Sequence, residues 1–430
     1  MKMPNLHTRL TIERLGQRGE GIARGPDGLL FVPYGVPGDE IAAEVDGERA
    51  RLGEVLTPGR DRIPAFCPHF TICGGCAVQT LAAPAYADWK RGLVVAALDH
   101  ARVKAEVGAL IDAHGEGRRR ATFHARFTRH GSGRMDAIVG FMQARQHTII
   151  EIENCPILAP SMQGALAVAR AVASELGEVG KPLDILVTAT IEGLDVDFRG
   201  SGPLEPALRQ RLVEAAARLD LSRLSNHGDV LVERRIPLLQ MGAARVSPPA
   251  GAFLQATEAG EETLGRLVLE AVGSAKRVAD LFAGVGTFTL RLASKAEVLA
   301  LESDAACVQA LARAAHMPGL RTVNAEARDL FRRPLAGAEL EPFEAVVFDP
   351  PRAGAEAQAK ALGESNVPNV VAVSCSAQSF ARDAKILTDG GYSVERVTPV
   401  DQFRHSPHVE IVGVFRKAAP RGRKRGRLLG

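Results

Sequence analysis

From Gly251 onward the chain keeps one rhythm. An apolar run of strand length stops in a glycine or acidic turn, and a helical pattern follows. "RVADLFAGVGTFTLRLA", "AEVLALESD" and "FEAVVFDPPRAG" do this in succession. Strands joined through helices run parallel, and a parallel sheet needs helices on both faces, so this half of the chain predicts a doubly wound α/β sheet. In such a sheet ligands gather outside the carboxyl ends of the strands. The glycine and acidic turns therefore mark a ligand crevice before any chemistry is assigned.

The residues before Gly251 follow other rules. To about Pro58, short β-rich runs alternate with glycine turns, and "GPDG" between two of them is a hairpin signal. No long helical period interrupts them, which predicts a small β-barrel. Arg14, Arg18, Arg24, Arg49 and Arg51 give it either a basic face or an ordinary solvated surface. "YADWKRGLVVAALDHA" reads as a helix. From Arg118 to Val246, strand patterns such as "LDILVTAT" mix with helical ones such as "MQGALAVARAVASEL". The expected organisation is a barrel at 1–60, an α+β domain at 61–250, a Rossmann-like doubly wound domain at 251–417 and a basic tail at 418–430.

With 430 residues, 46% hydrophobic and 24% charged, the composition is that of an ordinary multidomain protein with ample core. The net charge of only +3 confines any nucleic-acid surface to a local patch. The tail is such a patch: Arg416, Lys417, Arg421, Arg423, Lys424, Arg425 and Arg427 occur with no acid among them. The start lacks a secretory apolar core, and no run reaches membrane-spanning length. The expectation is a cytoplasmic monomer with no membrane association and reduced thiols. Its cysteines are then ligands, nucleophiles or core fillers. Three of the six, Cys67, Cys73 and Cys76, fall in "CPHFTICGGC" as C-x5-C-x2-C, a spacing that by itself leans towards zinc.

The crevice residues suggest a cofactor. Gly284 and Gly286 form a Gly-x-Gly turn between strand and helix, where backbone can approach a ligand closely. The G-x-G-x-x-G dinucleotide pattern is absent, since Thr289 holds its last position. Glu302 ends the next strand, where an acid accepts from ribose hydroxyls. Asp349 ends another and is held by two prolines that cannot continue a strand. Glycine turn, ribose acid and rigid acidic loop together favour S-adenosylmethionine over NAD.

Two further residues carry reactive groups. A lone thiol most often fills a core, as Cys307 does within "AACVQALARAA". Cys375 differs: it stands at the carboxyl end of "NVVAVS", just before a helix whose dipole favours thiolate. Glu410 begins an apolar strand behind a loop with Arg404, His405 and His408, as either an exposed strand-end acid or a general base.

These segments taken in order resemble the RNA uridine-5-methyltransferases, nearly end to end. "GQRGEGIAR…FVPYGVPGDE" is similar to the family's TRAM domain, an OB-like RNA-binding barrel. "CPHFTICGGC" with "ENCPIL" resembles its four-cysteine iron–sulfur site, and "AFLQ", "DLFAGVG", "DPPRAG", "SCSAQSFARD" and "HVE" resemble its catalytic signatures. The resemblance implies Cys155 as a fourth ligand beside Cys67, Cys73 and Cys76, and a [4Fe–4S] cluster in preference to zinc. It implies that Gln255, Phe282, Gly284, Glu302 and Asp349 meet S-adenosylmethionine, that Cys375 is the nucleophile and that Glu410 is the base. It implies an RNA substrate, with the 23S rRNA type favoured because it combines TRAM domain and cluster. Ser376 stands where the family usually has Asn, Ala283 where it often has Cys, and Arg404 where it often has Pro. In "VNAEARDLF", Arg328 and Asp329 are both candidates for the adenine-side residue. Alternatives are a tRNA uridine-C5 enzyme, a nucleobase amino-methyltransferase, which leaves Cys375 and Glu410 without a task, and a non-catalytic RNA-binding protein.

Overall fold

The computed structural model describes residues 8–129 and 135–417. The tail at 418–430 lies outside the described residues. The chain forms two units, Met1–Leu93 with Ala109–Leu264 and Pro399–Glu410, and Val94–Gly108 with Gly265–Thr398 and Ile411–Gly430. No helix among the described residues is long and apolar enough to cross a membrane.

The first unit opens with a closed barrel of the strands Thr8–Leu15, Gly21–Gly25, Gly28–Val32, Glu40–Asp46 and Arg49–Thr57. The "GPDG" signal is realised as a two-residue connection closing the Gly25–Gly28 pair. Alternate residues Leu10, Ile12, Leu30, Val32, Ile41 and Ala43 fill the barrel. Asp39, wholly buried, ties its end: it accepts from the Val36 and Gly59 amides at 2.7 and 2.9 Å and pairs with Arg62 at 2.6 Å. Of the barrel arginines, Arg24 pairs with Glu13 and Arg51 with Glu44, both in the open. These two arginines thus face acids of the barrel itself.

The same unit holds a seven-stranded sheet whose middle strands are Gly193–Arg199, Leu183–Thr190, Arg120–Arg129 and Met135–Met142. Helices Ala165–Glu175 and Pro206–Arg218 bury Val172 and Leu212 in one core with Phe123, Val139, Ile185 and Phe198.

The second unit is the expected doubly wound sheet. Its strands, in chain order, are β1 (Arg277–Leu281), β2 (Glu297–Glu302), β3 (Val323–Ala327), β4 (Ala345–Phe348), β5 (Asn369–Ser374), β6 (Tyr392–Asp401) and β7 (Glu410–Lys417). They lie in the order β3-β2-β1-β4-β5-β7-β6. Neighbours from β3 to β5 are parallel, and β7 runs antiparallel to β5. Every residue of β4 and β5 is buried, which explains why both read as unbroken apolar runs. The strand order reverses between β1 and β4. Folds of this kind take ligands at such a switch point, at the carboxyl ends of the strands, where Phe282 and Asp349 follow. At Pro399 the chain passes from this unit into the first, where Val400–Asp401 pairs with Ile111–Asp112.

Candidate active site

In the second unit the turn after β1 is shaped by backbone strain. Phe282 has φ 62°, a left-handed conformation that costs a non-glycine residue on the order of 1–3 kcal/mol and that gathers at ligand sites. Gly284 follows at φ 55°, and a Cβ there would meet open space. Gly286 is glycine for packing: a Cβ would lie 2.4 Å from the Leu311 Cδ1. Glu302, at the end of β2, is fixed in advance. One oxygen accepts from the Gly284 amide at 3.0 Å, the other from the Ser303 and Asp304 amides at 2.6 and 2.9 Å. Asp349 donates its own amide to the Leu281 carbonyl at 3.2 Å, which joins the ends of β1 and β4.

Two acids in this unit stand inside the quoted motifs "DLFAGVG" and "SCSAQSFARD" but were given no role from the sequence. Asp280 lies inside β1, wholly buried. One oxygen takes the Thr289 hydroxyl at 2.5 Å, while the other has no hydrogen-bond partner. Burial pushes its carboxyl up to about 7. The sequence signal was an acid inside an apolar strand. Asp383 anchors the Asp-Pro-Pro loop from the helix Ala377–Asp389: it accepts from the Ala355 amide at 2.7 Å and pairs with Arg382 at 2.7 Å. Arg328, one of the two adenine-side candidates, is engaged elsewhere, with Glu339 at 2.8 Å and the carbonyls of Arg333 and Pro334.

Cys375 follows β5 and precedes Ser376, the cap of the next helix, whose hydroxyl accepts from the Ser379 amide. It is half-buried, whereas Cys307 is buried and its thiol is pushed up to about 12, first by burial and then by Asp304. A buried thiol raised in this way is a poor nucleophile. The last register pair of β5 and β7 is Ser374 with Ile411. Cys375 and Glu410 each stand one residue beyond that pair along the chain.

In the first unit Glu410 is buried, 3% exposed, which removes the reading of an exposed strand-end acid. Its carboxyl is pushed up to about 7 by burial, against the opposing pull of Gln402 and Lys90. Gln402 donates to it at 3.0 Å and to the Gln255 side chain at 2.5 Å. Gln255 is itself set by its neighbours. Arg119 donates to its carbonyl at 3.3 Å and pairs with Glu261 at 2.5 Å, and Arg120 donates to the carbonyl of Ala252. Lys90, fully buried on the helix Ala83–His100, uses its ammonium on Asp401 at 2.5 Å and on the carbonyls of Phe403 and His408 at 3.1 and 2.6 Å. Three bonds from one cation thus pin the segment that leads into Glu410. No periodicity in the sequence links Lys90 to Asp401.

The cysteine segment also belongs to the first unit. The Gly74 amide donates to the Met142 carbonyl, and Cys155 packs against the core of the seven-stranded sheet. No group of three or more His, Cys, Asp or Glu among the described residues is arranged to hold a metal ion. Thiol is nonetheless a donor type that zinc and iron–sulfur clusters use. Burial raises the thiols of Cys73 and Cys155 and pushes Cys76 up to about 11. In each case other members of the set Cys67, Cys73, Cys76 and Cys155 push the same way. Three thiols held in their neutral form by burial, Cys73, Cys76 and Cys155, are ones that a bound cation would convert to thiolates.

A mostly parallel sheet of this order, with a glycine turn after β1 and a fixed acid at the end of β2, is of the doubly wound class that takes its ligands at the strands' carboxyl ends. Residues 247–419 match the family model for tRNA (uracil-5-)-methyltransferase. An uncharacterized RNA methyltransferase of Brucella suis is 45% identical, over 95% of this chain and 98% of its own. The 23S rRNA (uracil(1939)-C(5))-methyltransferase of Chromohalobacter salexigens is 31% identical, over 96% and 90%. The fold is similar to that of the Pyrococcus abyssi tRNA (uracil-54, C5)-methyltransferase solved with S-adenosyl-L-homocysteine: TM-score 0.71, 21% identity, 95% of this chain and 100% of that one. The chain belongs to the RNA (uracil-5-)-methyltransferase family. It is an S-adenosylmethionine-dependent enzyme that acts on RNA.

Proposed function

We propose that the enzyme methylates C5 of a uridine in 23S rRNA through a covalent adduct, with Cys375 as nucleophile and Glu410 as base. The observation that carries this reading is Glu410 itself, buried, accepting from Gln402 at 3.0 Å and with its carboxyl pushed up to about 7. C5 of uracil is a weak nucleophile. The Cys375 thiolate adds at C6 and leaves an enolate whose C5 is reactive. S-adenosylmethionine supplies the methyl group that C5 takes. Glu410 then accepts the C5 proton, the C6–S bond breaks, the C5–C6 double bond returns and the thiolate is regenerated. The uridine must leave its stack for this to occur.

Gln255, Phe282, Gly284, Glu302 and Asp349 are the residues assigned to S-adenosylmethionine. The strained turn, the open space at Gly284 and the pre-set Glu302 support that assignment. Residues 1–60 serve as a TRAM-type RNA-binding barrel, 61–250 as the cysteine-bearing domain, 251–417 as the catalytic domain and 418–430 as a phosphate-binding tail. Cys67, Cys73, Cys76 and Cys155 hold a [4Fe–4S] cluster, which would supply a structural cross-link between distant parts of the first unit. The identity of the RNA rests on the 31%-identical relative. Incubation with labelled S-adenosylmethionine and either unmethylated 23S rRNA or unmethylated tRNA tests it. 5-Methyluridine in 23S rRNA is expected. The same nucleoside only in tRNA moves the target, and a methylated exocyclic amine removes the C5 chemistry.

A further inference from the structure

Gln402 is wholly buried, and the hydrogen-bonding capacity of its amide is filled within the first unit. Its oxygen accepts from the Ala256 amide at 2.8 Å and faces the Thr257 amide at 3.4 Å. Backbone N–H groups can only donate, so they fix which end of the amide is oxygen and which is nitrogen. The nitrogen is thereby forced towards two acceptors, Gln255 Oε1 at 2.5 Å and Glu410 Oε1 at 3.0 Å. Space is closed around it as well: a Cβ on Gly260 would lie 2.7 Å from the Gln402 oxygen. Gln402 therefore cannot turn its amide over without leaving buried N–H groups unsatisfied, at a cost of about 1–3 kcal/mol each.

We infer that Gln402 is a positioning residue for methyl transfer: one locked amide holds the base Glu410 and the cofactor-side Gln255 at once, and presents Glu410 with a donor that suits its carboxylate form. The inference rests on the reading of Glu410 as base. A buried carboxylate without a donor stays protonated and cannot take a proton. The charged and titratable groups about this segment include Lys90, on the helix Ala83–His100, its partner Asp401 at the end of β6, Arg118, the Arg404–Asp112 pair, His405, and the Arg119–Glu261 pair beside Gln255. Lys90 already spends its hydrogens on Asp401 and two carbonyls. The donor that touches Glu410 is Gln402.

Gln402→Glu tests this with little change of shape, because a carboxylate still accepts from Ala256 and Thr257 while the donor to Glu410 is replaced by an acid. The readout is decay of the methylated RNA–protein adduct in single turnover, from pH 6 to 9. A like charge next to Glu410 should move the acidic limb upward by about one unit or more, so the rate near neutrality falls roughly tenfold and recovers at high pH. The KM for S-adenosylmethionine should change far less. Gln402→Met, which removes both functions at similar length, should move the limb the same way by less, and it serves if the Glu variant melts below assay temperature. A rate lost equally at every pH in a folded variant, or an unmoved limb, overturns the inference. Glu410→Gln run alongside separates the two claims. If it turns over at the native rate, the base assignment fails whatever Gln402 does. If it stalls while the Gln402 variants keep the native profile, only the positioning role fails.

Discussion

At the scale of single residues the account turns on buried acids. Glu410 must be ionised to take a proton, and its carboxyl titrates near about 7, so elimination should quicken as pH rises through that value. Asp280 makes a different prediction. Its carboxyl sits near about 7 when folded and near 3.8 when unfolded. Between those values the folded chain holds a proton that the unfolded chain has released. Its contribution is therefore fully present below the unfolded value and lost as pH rises through the folded one. Asp280→Asn should flatten that fall in stability, measured by denaturant unfolding at pH 5 and pH 8. An unchanged pH dependence in the variant would mean that Asp280 carries its charge when folded. At this scale the sequence was partly legible. Cys375 and Glu410 were marked by standing at the ends of apolar runs. Lys90 and Gln402 were not, because their partners are set by tertiary packing and leave no period behind.

At the scale of elements, legibility followed burial. β4 and β5 were unmistakable as unbroken apolar runs bounded by turns, and the barrel hairpin was marked by "GPDG". What could not be read was how each turn is held. The Asp-Pro-Pro loop is held by Asp383, on the helix Ala377–Asp389 after β5, which reads as an ordinary polar position. Asp383→Ala removes the acceptor of the buried Ala355 amide and the partner of Arg382. The expected cost is about 1–3 kcal/mol of stability, with weaker binding of S-adenosylmethionine because Asp349 loses its fixed loop. Calorimetric titration with S-adenosylhomocysteine checks the second part, and native affinity would show that the prolines alone hold the loop. Asp349 itself was legible because prolines end strands for a reason that does not depend on context.

At the scale of the whole molecule, the roles proposed for the first unit and the tail can be tested apart from catalysis. If the proposed cluster is present, protein purified without air should contain iron and sulfide, and Cys155→Ser should lose both, although Cys155 lies far along the chain from Cys67, Cys73 and Cys76. Stoichiometric zinc without sulfide would replace the cluster with a metal of the same donor set. Removal of the residues after Lys417 should weaken RNA binding and flatten its dependence on salt, since fewer phosphates are neutralised. An unchanged slope would make the tail a bystander. The central claim, covalent C5 methylation by Cys375 with Glu410 as base, is tested most directly by mass spectrometry of denatured Glu410→Gln after incubation with RNA and S-adenosylmethionine. The expected result is a peptide containing Cys375 joined to a uridine that already carries one extra methyl group. An adduct on Cys307, or rapid release of 5-methyluridine with no adduct at all, would contradict it.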